Sequence, residues 1–246
     1  MALFSPRHKF ADGDRLDLAG AVLRLKVNPR ARRVSLRLDR ARAEVIATAP
    51  SVRGLSEAVA FAQEKADWIA AQVAAIPAAH PFTPGQSLTL FGRPAVLGVT
   101  SGRPRRLADP TGGPDRIVAP GEGEVWRAAI LRLLKREALA GLTPKTLAYS
   151  RALGQPDPTV AVADARSRWG SCKPAQRGQR AAIRYSWRIM LAPEAIADYL
   201  CAHETAHLVQ PNHSPDFWAV VRDLNGDHRP HRAWLKRHGA WLHGMG

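Results

Sequence analysis

His203, Glu204 and His207 stand at the spacing H-E-x-x-H, in a stretch that reads as a helix. Four residues make slightly more than one helical turn, so both imidazoles leave the same face. Glu204 leaves from the next position round, close enough to act on a water held between the rings. One helix thereby supplies two zinc ligands and the general base of a metal hydrolase. Ile196, Leu200, His203 and His207 follow one another at spacings of four, three and four. This continuous stripe turns the histidines inward. Pro193 and Glu194 open the helix, and Pro211 disfavours helical backbone at Gln210, so it should stop just after His207.

A catalytic zinc takes three protein ligands and keeps one position open. No Glu follows Glu204, so a carboxylate of that type from a later helix is excluded. The remaining candidates are His213, His228, His231, His238 and His243, with Asp216, Asp223 and Asp227. His213 is best placed, because the turn through Pro211 and Asn212 folds it back towards the helix. Its offset from His207 matches the third histidine of the metzincin pattern, but Gln210 replaces that pattern's glycine and no Met-turn is evident. Ser214 and Pro215 then read as the N-cap and first residue of a new helix with Phe217, Val220, Val221 and Leu224 inward.

His203-Glu204-x-x-His207 together with Asn212-His213-Ser214 and Phe217-Trp218 resembles the YgjP-like metallopeptidase family, a relative of the SprT-like and WLM proteases. A second block, from Arg166 through Trp169, Gly170 and Ser171 to Cys172, agrees. The resemblance implies an α+β, zincin-like catalytic domain with Zn2+ on His203, His207 and His213 and with Glu204 catalytic. It implies a peptide or protein substrate without naming one.

The elements that must position these residues follow from periodicity. Strands are predicted at 22–27, 34–38 and 44–50, and a helix at 55–76. A hairpin is predicted across 87–99 around Phe91-Gly92, and a short strand at 116–119. Residues 101–123 are rich in Gly, Pro and Arg and mark a boundary, giving a β-rich N-terminal region at 1–122 and a zincin-like domain at 123–246. Helices are predicted at 124–139 and 144–153, strands at 159–165 and 182–191, and a closing helix at 231–243. No internal repeat is evident in the sequence. The strand at 182–191 is a candidate edge for a substrate peptide to add to.

The tetrahedral oxyanion of peptide hydrolysis needs a donor besides the metal, and Arg166, Arg168 and Tyr185 are the candidates, Arg166 and Tyr185 the better two. Cys172 beside Arg168 invites a thiolate reading, against which stands a small residue packed in a tight turn. Trp169 and Trp187 read as core anchors rather than stacking platforms. His228 and His231 are the C-terminal histidines worth testing beside the metal.

The net charge of +15 is spread evenly: residues 1–120 hold 18 Lys/Arg against 10 Asp/Glu, and 121–246 hold 18 against 11. Two readings follow, a solvated basic surface or association with nucleic acid. The densest cluster is Arg30, Arg32, Arg33, Arg37, Arg40 and Arg42. Two cysteines make no disulfide framework, no apolar run is long enough for a membrane span, and the N-terminus lacks a secretory h-region, so a cytoplasmic protein is expected. The expected function is a zinc metallopeptidase. Its rivals are a metal-dependent hydrolase of nucleotide pyrophosphates and a DNA-associated protease.

Overall fold

Alternating apolar residues build the first sheet: β1 (Arg15–Leu18), β2 (Ala21–Val27), β3 (Ser35–Asp39) and β4 (Glu44–Ala49). They lie in the order β1-β2-β4-β3, antiparallel except for the central β2–β4 pair. The computed structural model describes residues 10–39, 44–74, 80–165 and 168–246. Leu23, Leu25, Val45 and Ala47 bury one face of the sheet against Leu55, Val59, Ala62 and Ile69. Those residues belong to α1 (Leu55–Glu64) and α2 (Ala66–Ala74). One continuous helix over 55–76 is expected here; the structure breaks it at Lys65, and positions 75–76 fall outside the described residues.

A second sheet holds β5 (Ser87–Leu90), β6 (Arg93–Val99), β7 (Arg105–Leu107) and β8 (Asp115–Ala119). Its order is β5-β6-β8-β7, with the same antiparallel, parallel, antiparallel pairing. The agreement reaches single residues. Arg15 pairs with Arg24 as Ser87 pairs with Val96, 72 positions later. The backbone N–H of Gly13 donates to Leu25, and that of Gly85 to Leu97, at 2.9 and 2.8 Å. Both hairpins turn through two residues of positive φ, Ala19-Gly20 (52° and 73°) and Phe91-Gly92 (50° and 81°). This is the type I′ geometry that matches strand twist, and glycine serves its second position without penalty. Within residues 10–27, seven positions are identical to those 72 later: Phe10/Phe82, Gly13/Gly85, Leu16/Leu88, Leu18/Leu90, Gly20/Gly92, Leu25/Leu97 and Val27/Val99. The absence of a repeat, expected from the sequence, is therefore corrected. The shared positions are mainly glycines and alternating aliphatics, which any hairpin of this geometry selects.

The chain divides into two compact units, Met1–Pro77 and Ala78–Gly246, and not near residue 122. The physical reason is the second sheet's core. Leu90, Leu97, Ile117 and Ala119 share one apolar cluster with Trp126, Ile130, Leu134, Ile196 and Leu200.

The second unit continues with α3 (Gly123–Ala152), β9 (Thr159–Ala163), β10 (Gly170–Lys173) and β11 (Ala182–Ser186). Next come a 3-10 segment at Trp187–Leu191, α4 (Glu194–Ala206), α5 (Pro215–Asn225) and α6 (Arg229–Gly244). Two helices are expected where α3 runs unbroken through Pro144. Ala138, Leu142, Thr146 and Ser150 are all buried at four-residue spacing, so packing outweighs one lost donor. Thr143 Oγ1 and Thr146 Oγ1 donate to the carbonyls of Leu139 and Leu142 at 2.7 and 2.8 Å. The strand expected at 182–191 ends at Ser186, and residues 187–191 are wholly buried. Arg188, expected on an outer face, has no exposure; its Nη1 pairs with Asp164 and its Nε donates to the Met245 carbonyl at 2.7 Å. β11 lies between β10 and β9, so both its edges are closed and it cannot accept a further strand. β10 and β9 are the edge strands.

Candidate metal centre

α4 carries His203 and Glu204 in its last turn and ends at Ala206, with His207 as C-cap. Ile196, Leu200 and Thr205 anchor its inner face. The backbone N–H of Gln210 donates to Ala206, which closes the turn before Pro211. Ser214 Oγ accepts the amide of Phe217 at 3.3 Å and starts α5, with Pro215 at its first position. The short connection between α4 and α5 brings His213 back over α4. The ligand atoms of His203, His207 and His213 lie within 4.8 Å of one another, in an arrangement able to hold a metal ion. The Nε2 atoms of His203 and His213 are 3.1 Å apart.

Phe217 is fully buried beneath all three rings, its centroid 4.9, 4.5 and 4.8 Å from those of His203, His207 and His213. Trp218 lies against His203 and His213 at 5.8 and 5.6 Å. His207 Nδ1 donates to the Gln210 carbonyl at 3.0 Å, which leaves Nε2 with its lone pair. His203 Nδ1 faces Tyr199 Oη at 3.4 Å, one turn earlier on α4. Burial pushes His203 down to about 3, helped by the neighbouring charges of His207, His213, Arg232 and His228. Burial also lowers His207, against the raising effect of the Gln210 bond. Burial thus favours the neutral form of both rings, the form that metal ligation requires.

Glu204 is 5% exposed and makes no hydrogen bond or ion pair among the described residues. Burial pushes its carboxyl up to about 8, with Arg168 pulling the other way. Gly170, on β10, lies so close that a Cβ there would overlap the Glu204 carboxylate. Only glycine lets the edge strand pass this near. Glu204 follows His203 directly on α4, and a buried carboxyl shifted in this way is a candidate for proton transfer.

A second cluster stiffens the same helix. Tyr149 Oη donates to Asp198 Oδ2 at 2.8 Å, and Asn225 Nδ2 donates to both at 2.9 Å. Lys145 pairs with Glu194 at 2.8 Å and with Asp198 at 3.5 Å. These bonds join α3, α4 and the end of α5, which holds His213 and Phe217 in register with His203. Their residues carry no motif, and only the three-dimensional packing reveals them.

Among the other expected residues, Tyr185 is fully buried and its hydroxyl is bonded to Thr146 Oγ1 at 2.9 Å. That removes it as an oxyanion donor, because a phenol packed under the sheet cannot reach a substrate. Arg166 lies outside the described residues. Cys172 is no thiolate: burial and the charge of Glu204 push it up to about 11. Trp187 is fully buried and Trp169 stacks on His243 at 4.0 Å. His228 stacks on Trp218 at 4.2 Å and His231 on Tyr199 at 5.3 Å, so both line the outer ring of the centre. Sequence reading missed Tyr199, although its four-residue spacing from His203 on one helix was a usable signal.

Three histidines set to share one ion, with a glutamate directly after the first of them on the helix, characterise the metal-dependent hydrolases. The model of the YgjP-like metallopeptidase domain matches residues 32–238, and the chain belongs to that family. Membership points to a metal-dependent peptidase. No curated protein and no solved structure matches the chain. Among the described residues, no helix is long and apolar enough to cross a membrane.

Proposed function

We propose that the protein is a zinc-dependent peptidase of zincin type, in which His203, His207 and His213 hold the metal and Glu204 is the general base. The observation that supports this most is the convergence of three histidine nitrogens, with the almost buried Glu204 next to His203 on the same helix. The donor set fits zinc. Two nitrogens bound at ~2.0–2.1 Å in tetrahedral geometry stand about 3.3 Å apart, close to the 3.1 Å between His203 and His213. An all-nitrogen triad does not suit calcium or magnesium, which take oxygen ligands.

When bound, zinc supplies Lewis acidity towards a peptide carbonyl and towards water. Glu204 takes the attacking water's proton at a carboxylate oxygen and delivers it to the leaving amine nitrogen. Gln210 and Tyr199 fix the ring orientations of His207 and His203. Phe217 and Trp218 close the triad from behind. An extended substrate peptide adding to the edge of β10 would run past Gly170 and bring its scissile bond beside Glu204. Arg166 remains the proposed donor to the oxyanion.

Glu204→Gln tests this reading. Casein hydrolysis should fall by about 10³-fold while zinc content stays unchanged, and His213→Ala should lose the zinc itself. A Glu204→Gln protein with full turnover would overturn the assignment. Nucleoside triphosphates offered in place of casein test the pyrophosphate reading: turnover confined to them would replace the peptidase assignment.

A further inference from the structure

The first unit carries side chains that the metal centre does not use. Along 33–38 exposure alternates, so Val34, Leu36 and Leu38 pack towards the core while Arg33, Ser35 and Arg37 face out. β3 is the last strand of its sheet, and α1 packs beside it. Between them runs a groove of about 610 Å³, bounded by Arg33, Leu36, Phe61, Lys65 and Trp68. Trp68, in the first turn of α2, is 44% exposed. An indole this open leaves a large apolar face in water, and covering it is favourable.

The charge around that face is positive. Arg30, Arg32, Arg33 and Arg37 are exposed, and none forms an ion pair among the described residues. Lys65 stands 5.8 Å over the Phe61 ring and shares its charge with Glu64 at 2.7 Å. Asp67 is the exposed acid next to Trp68. A planar apolar platform framed by a guanidinium and an ammonium suits a chain that alternates planar rings with anions. Nucleic-acid single strands have that composition, and their bases stack on aromatic side chains whatever the sequence. A duplex hides its base faces, and an acidic peptide has no ring at every repeat.

We propose that the groove between β3 and the α1–α2 pair binds single-stranded nucleic acid, with one base stacked on Trp68 and the adjoining phosphates on Arg33 and Lys65. No residue of the second unit takes part, so this proposal and the peptidase reading fail separately.

Fluorescence anisotropy of the full chain with a labelled oligothymidylate of about 20 nucleotides tests it. The single strand should bind, with affinity falling as salt rises. Trp68→Ala should weaken binding about tenfold, Trp68→Phe should retain most of it, and Arg33→Glu should weaken it and flatten the salt dependence. Both side chains are exposed, so the variants should keep the fold, which circular dichroism checks. Equal affinity for the duplex with no effect of Trp68→Ala would overturn the proposal in favour of bare charge attraction. Displacement of the oligonucleotide by polyglutamate, with the same dependence on Trp68, would overturn it in favour of a peptide groove. Absence of binding at low salt would overturn it outright.

Discussion

The two four-stranded sheets have the same strand order, the same pairing and the same left-handed hairpin turn, yet only one of them supports a metal centre. The first sheet spends its buried face on two short helices of its own, and Leu25 ends in a small local core. The second places Leu97, 72 positions later, in a core shared with α3 and α4. The hairpin turns state the difference most plainly. Ala19 holds its positive φ with a methyl group, whereas Phe91 in the same conformation sends its ring against α3, where Gly141 has no room for a Cβ. The Phe91 amide also donates to the Met190 carbonyl at 2.7 Å. One backbone design thus serves twice, and what it supports depends on the side chains it projects.

Substitutions at matched positions sharpen or break this comparison. The largest effect is expected from Leu25→Ala and Leu97→Ala, both fully buried, each costing about 3 kcal/mol. Denaturant unfolding should assign the loss to different units, and only Leu97→Ala should weaken zinc binding, measured by titration of the full chain. Equal effects on zinc would remove the distinction.

A smaller effect, about 2 kcal/mol, is expected from Asp115→Asn in β8. Burial acts to raise the Asp115 carboxyl, but Arg106, the Asp109 amide and the charge of Arg93 outweigh it, and the net shift is downward. A carboxyl lowered on folding stabilises above its unfolded pKa of about 3.9. That contribution is lost as pH falls through the lower folded value. The second unit should therefore lose stability below about pH 4, and Asp115→Asn should flatten that acid limb. An unchanged limb would show that other groups carry it.

The smallest effect separates the turns by sign. Ala19→Gly relieves a left-handed residue and should stabilise by about 1 kcal/mol. Phe91→Gly relieves the same strain but loses the ring against α3, so it should destabilise by about 1 kcal/mol. Thermal unfolding of both variants distinguishes them, and a shared sign would mean that the Phe91 ring contributes nothing to docking.

The sequence by itself determined what short-range geometry can express. The spacing of His203 and His207 requires a common helix face, Pro211 requires an end, Ser214 and Pro215 require a beginning, and the alternation at 22–27 and 87–99 requires strands. The tertiary structure decided everything that depends on which surfaces meet. It carried α3 through Pro144, because burial on both sides outweighs one missing donor. It turned residues 187–191 out of the sheet and hid Arg188 against Asp164, although the alternating pattern there is a good strand pattern. It buried the Tyr185 hydroxyl on Thr146, and it moved the boundary between units from the Gly- and Pro-rich stretch to residue 77, since a sheet belongs with the core it covers. It also set Gly170 under Glu204 and tied α4 to α3 and α5 through Asp198. A motif reports which atoms a backbone can aim together, whereas packing, desolvation and hydrogen-bond partners come from residues far away in the chain, and they decide which of those atoms are free to act.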